Sequence, residues 1–595
     1  MLAIYFKIMY SYGWYNLRKR IYQYMFKRKP YVGLSDKIRN QKNSQQILLE
    51  SSSWLTIGNI VSRLLGALYI IPWGIWMGAD RDNANYLYFI AYNIYALVLQ
   101  ISTAGIPVAI SKIVADNHAR RDYKTSWRLF KGTMLFMTFL GFVFAAGMYF
   151  AAPLFAKGAT PEEVADSIMV IRSLTPAVLI IPPLSLMRGY YQGYNEMAAS
   201  AKSQLWEQVV RILYMLGLTY FVMRVIHGGF VIAVAHSTFA AFVGAVIAFL
   251  YLAYKMLRDH KGMMELMEEG RPERPLSFWK IILEVMREAL PFVLVTSSIQ
   301  IISLIDQETF QRFVPIFTTY SFEEGKELIT LFGFNANKII MIVISLAMSI
   351  STAALPLLAA HYSVNDREEV KRVIANNLGL FAYIMIPASV GMAIVSEPIY
   401  NVFYSPDPTG TYLLVVSCVM CVFLGLFVTF TYILQSMEQH IIAIKALGFT
   451  VIIKLLWQPM MMYFLGGAGP LIASSIAFFV ATLYMCRHVL RLTRFDLNYV
   501  LKKFGQVLLA SFAMAVTSAI TLFAIKQIIA AVIGENPKEI IIAAGIATAV
   551  PYPAIPSINP PNPQASIKAC ARLSDVIFPN IVLMISILPF FTDKS

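Results

Sequence analysis

Apolar runs of about 20 residues recur along the chain, with polar residues either between them or on one stripe within them. Runs of that length cross a hydrocarbon core about 30 Å thick as helices. They are continuous rather than strictly alternating, which argues against a β-barrel. Fourteen spans are predicted, near 52–78, 86–111, 129–152, 168–187, 203–223, 230–254, 286–305, 331–360, 374–396, 411–436, 442–464, 470–486, 504–525 and, weakest, 539–550. The expected fold class is an all-α polytopic membrane protein.

The polar stripes have helical spacing. In span 1, Ser52, Thr56, Asn59, Arg63 and Gly66 follow one another at intervals of 4, 3, 4 and 3. In span 7, Thr296, Gln300, Ser303 and Gln307 follow at 4, 3 and 4. Such spacing places each set on one helix face. Span 8 carries Ser345, Ser349 and Thr352. Span 2 carries Asn93, Ala96, Gln100 and Thr103. Single hydroxyls and amides of this kind commonly join membrane helices. A set repeated in both halves predicts a wet central cavity.

The halves also resemble one another in sequence. Ser102, Thr103 and Pro107 match Ser351, Thr352 and Pro356 at an interval of 249, and "YYQGYNEMAASAK" reads beside "ILQSMEQHIIAIK" at 243. Six spans per repeat is an even number, so the repeats run parallel, with the site expected between them.

Charge then orients the chain. Lysine and arginine number 33 in the N-terminal segment and even-numbered loops against 7 in the odd-numbered loops. The positive-inside rule therefore predicts a cytoplasmic N-terminus. It also accounts for the net charge of +15 without nucleic acid. Only 14% of residues are charged, against roughly a quarter in soluble proteins. No cleavable signal peptide is evident, so the first span is expected to direct insertion. Cys418 and Cys421 form a CxxC inside an apolar run and read as buried filler. No metal, cofactor or nucleotide-binding loop is indicated.

Charges inside spans are costly and mark candidate functional residues. Arg63 has no acid one turn away in its own helix. Lys338 opens span 8, and Lys454 shares a face with Thr450 and Gln458. Glu207 lies four residues before Arg211, the spacing of an intrahelical pair. Loop 306–330 holds Asp306, Glu308, Glu323, Glu324 and Glu327 among residues that read as solvated. An enzyme would draw its catalytic acids from there, and none is indicated; Asp306, at the mouth of span 7, is a candidate gate. Substrate contact is assigned to Arg63, Asn59, Thr56, Asn93, Gln100, Gln300, Ser303, Gln307, Lys338, Ser345 and Ser349. Gating or coupling is assigned to Asp306, Glu207, Arg211 and Lys454. Unpaired cations with few carboxylates suit an anionic solute such as a phosphate or pyrophosphate.

"SSSWLTIGNIVSRLLGALYIIPW" followed by "QISTAGIPVAISKIVA" resembles the opening of the multidrug/oligosaccharidyl-lipid/polysaccharide flippase superfamily, and within it the SpoVB/YtgP polysaccharide-biosynthesis group related to lipid II flippases. The resemblance covers roughly residues 50–530. "SRLLG" at 62–66 matches the family's Ser-Arg-hydrophobic-Leu-Gly signature, which implies a cavity role for Arg63. It further implies two six-helix lobes, two extra C-terminal helices, alternating access, a bacterial cell membrane as the location and an undecaprenyl-pyrophosphate-linked sugar as substrate. The region after Gly66, "ALYIIPWGIWMG", lacks the further charges of the lipid II flippases.

The resulting division is a basic tail at 1–50, an N-lobe at 51–255, an interlobe linker at 256–284, a C-lobe at 285–490, C-terminal helices at 491–550 and an atypical tail at 551–595. In that tail six prolines between 551 and 563 break any helix. Expected partners are a lipid-linked anionic glycan and membrane lipids. The chain reads as a monomer, with cell-wall synthesis proteins as candidate associates. The competing reading is a drug or metabolite antiporter of the same fold, disfavoured because span 1 holds no carboxylate to exchange ions.

Overall fold

The computed structural model describes residues 65–66, 69–103, 105–158, 160–194, 196–269, 283, 293, 297–318, 320–404 and 406–532. Thr56, Asn59 and Arg63, the basic tail, most of the first span, residues 270–282, the last predicted span and the 551–595 tail lie outside these.

Every regular element among the described residues is a helix. The first half contains α1 (Ile70–Met77), α2 (Arg81–Thr103), α3 (Ile106–Ala119), α4 (Tyr123–Phe155), α5 (Pro161–Ser173), α6 (Thr175–Gly193), α7 (Met197–Tyr220) and α8 (Phe230–Glu269). The second contains α9 (Ser298–Phe317), α10 (Phe322–Ile329), α11 (Asn337–Ser363), α12 (Arg367–Ile394), α13 (Ser396–Phe403), α14 (Pro408–Ser436), α15 (His440–Leu465) and α16 (Gly469–Thr493). A last helix, α17 (Leu497–Val532), packs on α12. Ten helical stretches here are long and apolar enough to cross a membrane.

Two predicted boundaries move. The linker was expected from residue 256, but α8 runs unbroken to Glu269, its Met263, Leu266 and Met267 buried. The predicted outer loop 306–330 is mostly α9 and α10, the latter opened by a capping box of Ser321 and Glu324.

The halves repeat in backbone detail. Arg121 and Asn365, 244 residues apart, both adopt a left-handed conformation, with φ of 59° and 58°. The next residue in each case is an aspartate, Asp122 or Asp366, whose carboxylate caps the following helix. Its amide donates to the carbonyl of Asn117 or His361, at 2.8 and 3.0 Å. Across the next connection, Glu196 and Gln439, 243 apart, each donate an amide to Tyr191 or Leu434 at 2.9 Å. The 249-residue sequence match is thus shifted by about one and a half helical turns from the structural register. The first half breaks at Gly105, φ 78°, where α11 continues.

Small residues set the closest helix approaches. A Cβ added at Gly244 on α8 would meet the Glu207 carbonyl of α7 at 2.5 Å. Such contacts let membrane helices pack backbone to backbone. Gly244→Val is expected to destabilise the fold by about 1–3 kcal/mol, as overpacking does. A lowered melting temperature in detergent would show it, and an unchanged one would contradict this packing.

Candidate functional site

The end of the bundle that the lysine and arginine count assigns to the outside is called the outer end below. There the halves touch through α2 against α9, α10 and the π-helical turn at 330–336, and through α1 against α13. Arg81 donates to the Phe403 carbonyl and lies 5.3 Å from the Tyr404 ring centre. Lys157 pairs with Glu308 at 2.8 Å, and Lys326 with Glu163 at 3.2 Å. Deeper, Asn85 donates to Asn335 at 3.4 Å, and Asn93 donates to Gln307 at 3.0 Å. Asn93 and Gln307, taken from the polar stripes of spans 2 and 7, therefore meet across the halves, both buried. At the inner end the exposed side chains of Lys112 and Glu438 approach to 3.9 Å.

Next to this seam is a cation–tyrosine cluster. Tyr88 and Tyr92, one turn apart on α2, stack at 5.5 Å with an interplanar angle of 19°. Arg211, from α7 of the first half, donates to the Tyr88 hydroxyl at 3.1 Å and lies 5.4 Å from the Tyr92 ring centre. Lys338, from α11 of the second half, lies 5.0 Å from Tyr92, 5.7 Å from Tyr88 and 5.4 Å from Phe334. Two cations, one from each half, thus share two rings, and neither has a carboxylate partner among the described residues. Ring faces and hydroxyls attract cations weakly compared with an oxyanion.

Two carboxylates inside the bundle, Glu207 and Asp306, have cations of their own. Glu207 pairs with Arg188 at 2.6 Å, and Arg188 also donates to Ser203 at 2.8 Å. The expected Glu207–Arg211 pair along α7 is replaced by this bridge from α6, because Arg188 reaches Glu207 and Arg211 turns to the tyrosines. Asp306 was expected among solvated residues at the mouth of span 7. It lies within α9 and pairs with Lys454 at 2.7 Å. Lys454 is fully buried and also donates to the Pro470 carbonyl and the Ser474 hydroxyl of α16. Thr450, Lys454 and Gln458 share one wholly buried face, as their spacing predicts.

Arg211 and Lys454 occupy equivalent places. α7 begins at Met197 and α15 at His440, 243 apart, and the two cations are separated by the same interval. The repeat therefore carries one cation per half at the same depth. The second half neutralises its own with Asp306.

The remaining predicted residues are less assembled. Gln300 keeps a buried amide oxygen without a hydrogen-bond partner, and so does the amide nitrogen of Gln307. Ser303 and Gln100 are half-buried. Ser345 bonds back to the Ile342 carbonyl of its own helix. Ser349 lies in α11, its side chain outside what is described. Cys418 and Cys421 are buried free thiols.

Sequence reasoning missed Arg188 and the tyrosines. "YFIAYNIY" carries the tyrosine stripe at spacings of 4 and 3. Arg188 sits one residue past the predicted end of span 4.

Residues 48–362 match the family model described as polysaccharide biosynthesis protein, and residues 335–460 match the MatE model. Lipid II flippase MurJ of Bacillus subtilis is 29% identical over 524 residues, 84% of this chain and 94% of that protein. Among solved structures, a lipid II flippase MurJ in an inward closed conformation aligns with a TM-score of 0.58 and 15% identity, covering 83% of this chain and 98% of that one. A MOP superfamily transporter from Pyrococcus furiosus aligns with a TM-score of 0.57 and 17% identity, over 76% and 98%. Likeness at these identities shows a common fold.

Proposed function

Because the chain belongs to the polysaccharide biosynthesis protein family, a family of multi-pass membrane transporters by its fold and relatives, we propose that it is a flippase for an undecaprenyl-pyrophosphate-linked cell-wall or polysaccharide precursor, lipid II or a close relative. One observation carries this reading. Arg211 and Lys338 converge from the two halves on Tyr88 and Tyr92, with no carboxylate among the described residues to neutralise them. A pyrophosphate diester brings two negative charges and fixed acceptor oxygens, which guanidinium and ammonium groups hold better than aromatic rings do.

In this proposal Arg63, Asn59, Thr56 and the polar residues of spans 2, 7 and 8 complete the head-group site. The lipid tail stays in the bilayer, and rocking of the halves exposes the site to each side in turn. In this proposal a state bridged at the outer end is the one that loads from the cytoplasm.

A cation antiporter is the weaker alternative. It needs a membrane carboxylate free to exchange a proton or sodium against its cargo. Glu207 and Asp306 are each bridged to a cation instead.

The test is depletion of the protein in its own host, followed by counting lipid II and other undecaprenyl-linked precursors accessible at the outer face of the membrane. One such precursor is expected to fall at the outer face and accumulate inside, and to recover when the chain is re-expressed. Unchanged outer-face levels of every such precursor would refute the assignment.

A further inference from the structure

The outer junction holds charges that the substrate reading does not use. Lys157, in the connection after α4, reaches across to Glu308 on α9, which Arg312 also approaches at 3.7 Å. Lys326 on α10 reaches Glu163 on α5 and lies 5.2 Å from the ring of Tyr86 on α2. Both lysines are largely covered, with side chains 18% and 10% exposed. Both bridges join one half to the other, and they run in opposite senses. The first half gives the cation in one, and the second half gives it in the other.

We propose that this junction is an electrostatic latch: the crossed bridges Lys157–Glu308 and Lys326–Glu163 hold the outer end shut. Half-buried charge pairs of this kind are individually weak, so the closure can still open when a small differential interaction favours the other state. The latch depends on movement of the halves and not on which solute is carried.

The test reads the outer-end distance directly. Nitroxide labels are placed on Ala79→Cys and Thr409→Cys, exposed positions on the two sides of the junction, in a cysteine-free background in lipid nanodiscs, with no substrate added. Pulsed electron resonance is expected to show a dominant short distance. Lys157→Gln with Lys326→Gln is expected to shift the closed-to-open ratio toward open by about fivefold, the combined size of two such pairs. An unchanged distribution in the double variant overturns the proposal. Neither outcome bears on the flippase assignment, which the depletion experiment decides separately.

Discussion

Lys454→Met is expected to lower the stability of the folded protein by about 3–5 kcal/mol, because it strands the Asp306 carboxylate inside the bundle without its cation. Lys454 has no exposed side-chain surface, and that of Asp306 is 15% exposed. The ammonium also supplies the Pro470 carbonyl and the Ser474 hydroxyl, so one side chain ties α9 to both α15 and α16. Asp306→Asn alone is expected to be harmful too, since it leaves the lysine buried with only neutral acceptors. The double variant Lys454→Met with Asp306→Asn removes both charges together. Replacing a buried pair by groups of similar volume is often close to neutral, so the double variant is expected to recover most of the loss. A double-mutant cycle on thermal unfolding in detergent measures the coupling directly. Additive losses in that cycle would show that the two charges do not stabilise one another.

This pair also shows where sequence reasoning stopped. Spans, repeat and stripe of Thr450, Lys454 and Gln458 were legible because helical period and apolar length are local properties. The setting of Asp306 was not. The stretch "DQETFQR" lowers local hydropathy enough to look like a loop. The helix continues to Phe317 because lysines from other elements, Lys454 and Lys157, meet its acids at Asp306 and Glu308. The same limit explains Glu207. Spacing along one helix nominates Arg211, but Arg188 arrives from the neighbouring helix, and only tertiary structure decides between them. The convergence of Arg211 and Lys338 was hidden for a further reason. They are 127 positions apart, in different halves, and what joins them is a pair of tyrosines that reads as ordinary apolar surface.

Arg211→Gln and Lys338→Gln are each expected to slow translocation by about tenfold to a hundredfold while leaving the fold intact. The estimate follows from losing one charged hydrogen bond to an oxyanion, about 1.5–3 kcal/mol. Glutamine keeps much of the side-chain volume, and at 211 its amide can still donate to the Tyr88 hydroxyl, so stability should change little. That separates these positions from Lys454, although Arg211 and Lys454 are equivalents in the repeat. In the second half the cation is paired with Asp306. In the first half its counterpart meets only phenol groups among the described residues, which in the proposed function leaves its charge for a ligand. Transport of a labelled undecaprenyl-pyrophosphate sugar by purified protein in liposomes would measure the effect. The charge-free double variant at 306 and 454 serves as the comparison, and it is expected to translocate faster than either glutamine variant. If both glutamine variants move substrate at the unmodified rate with unchanged melting temperatures, the anion is held elsewhere, and the tyrosine-flanked cations serve only to join the two halves.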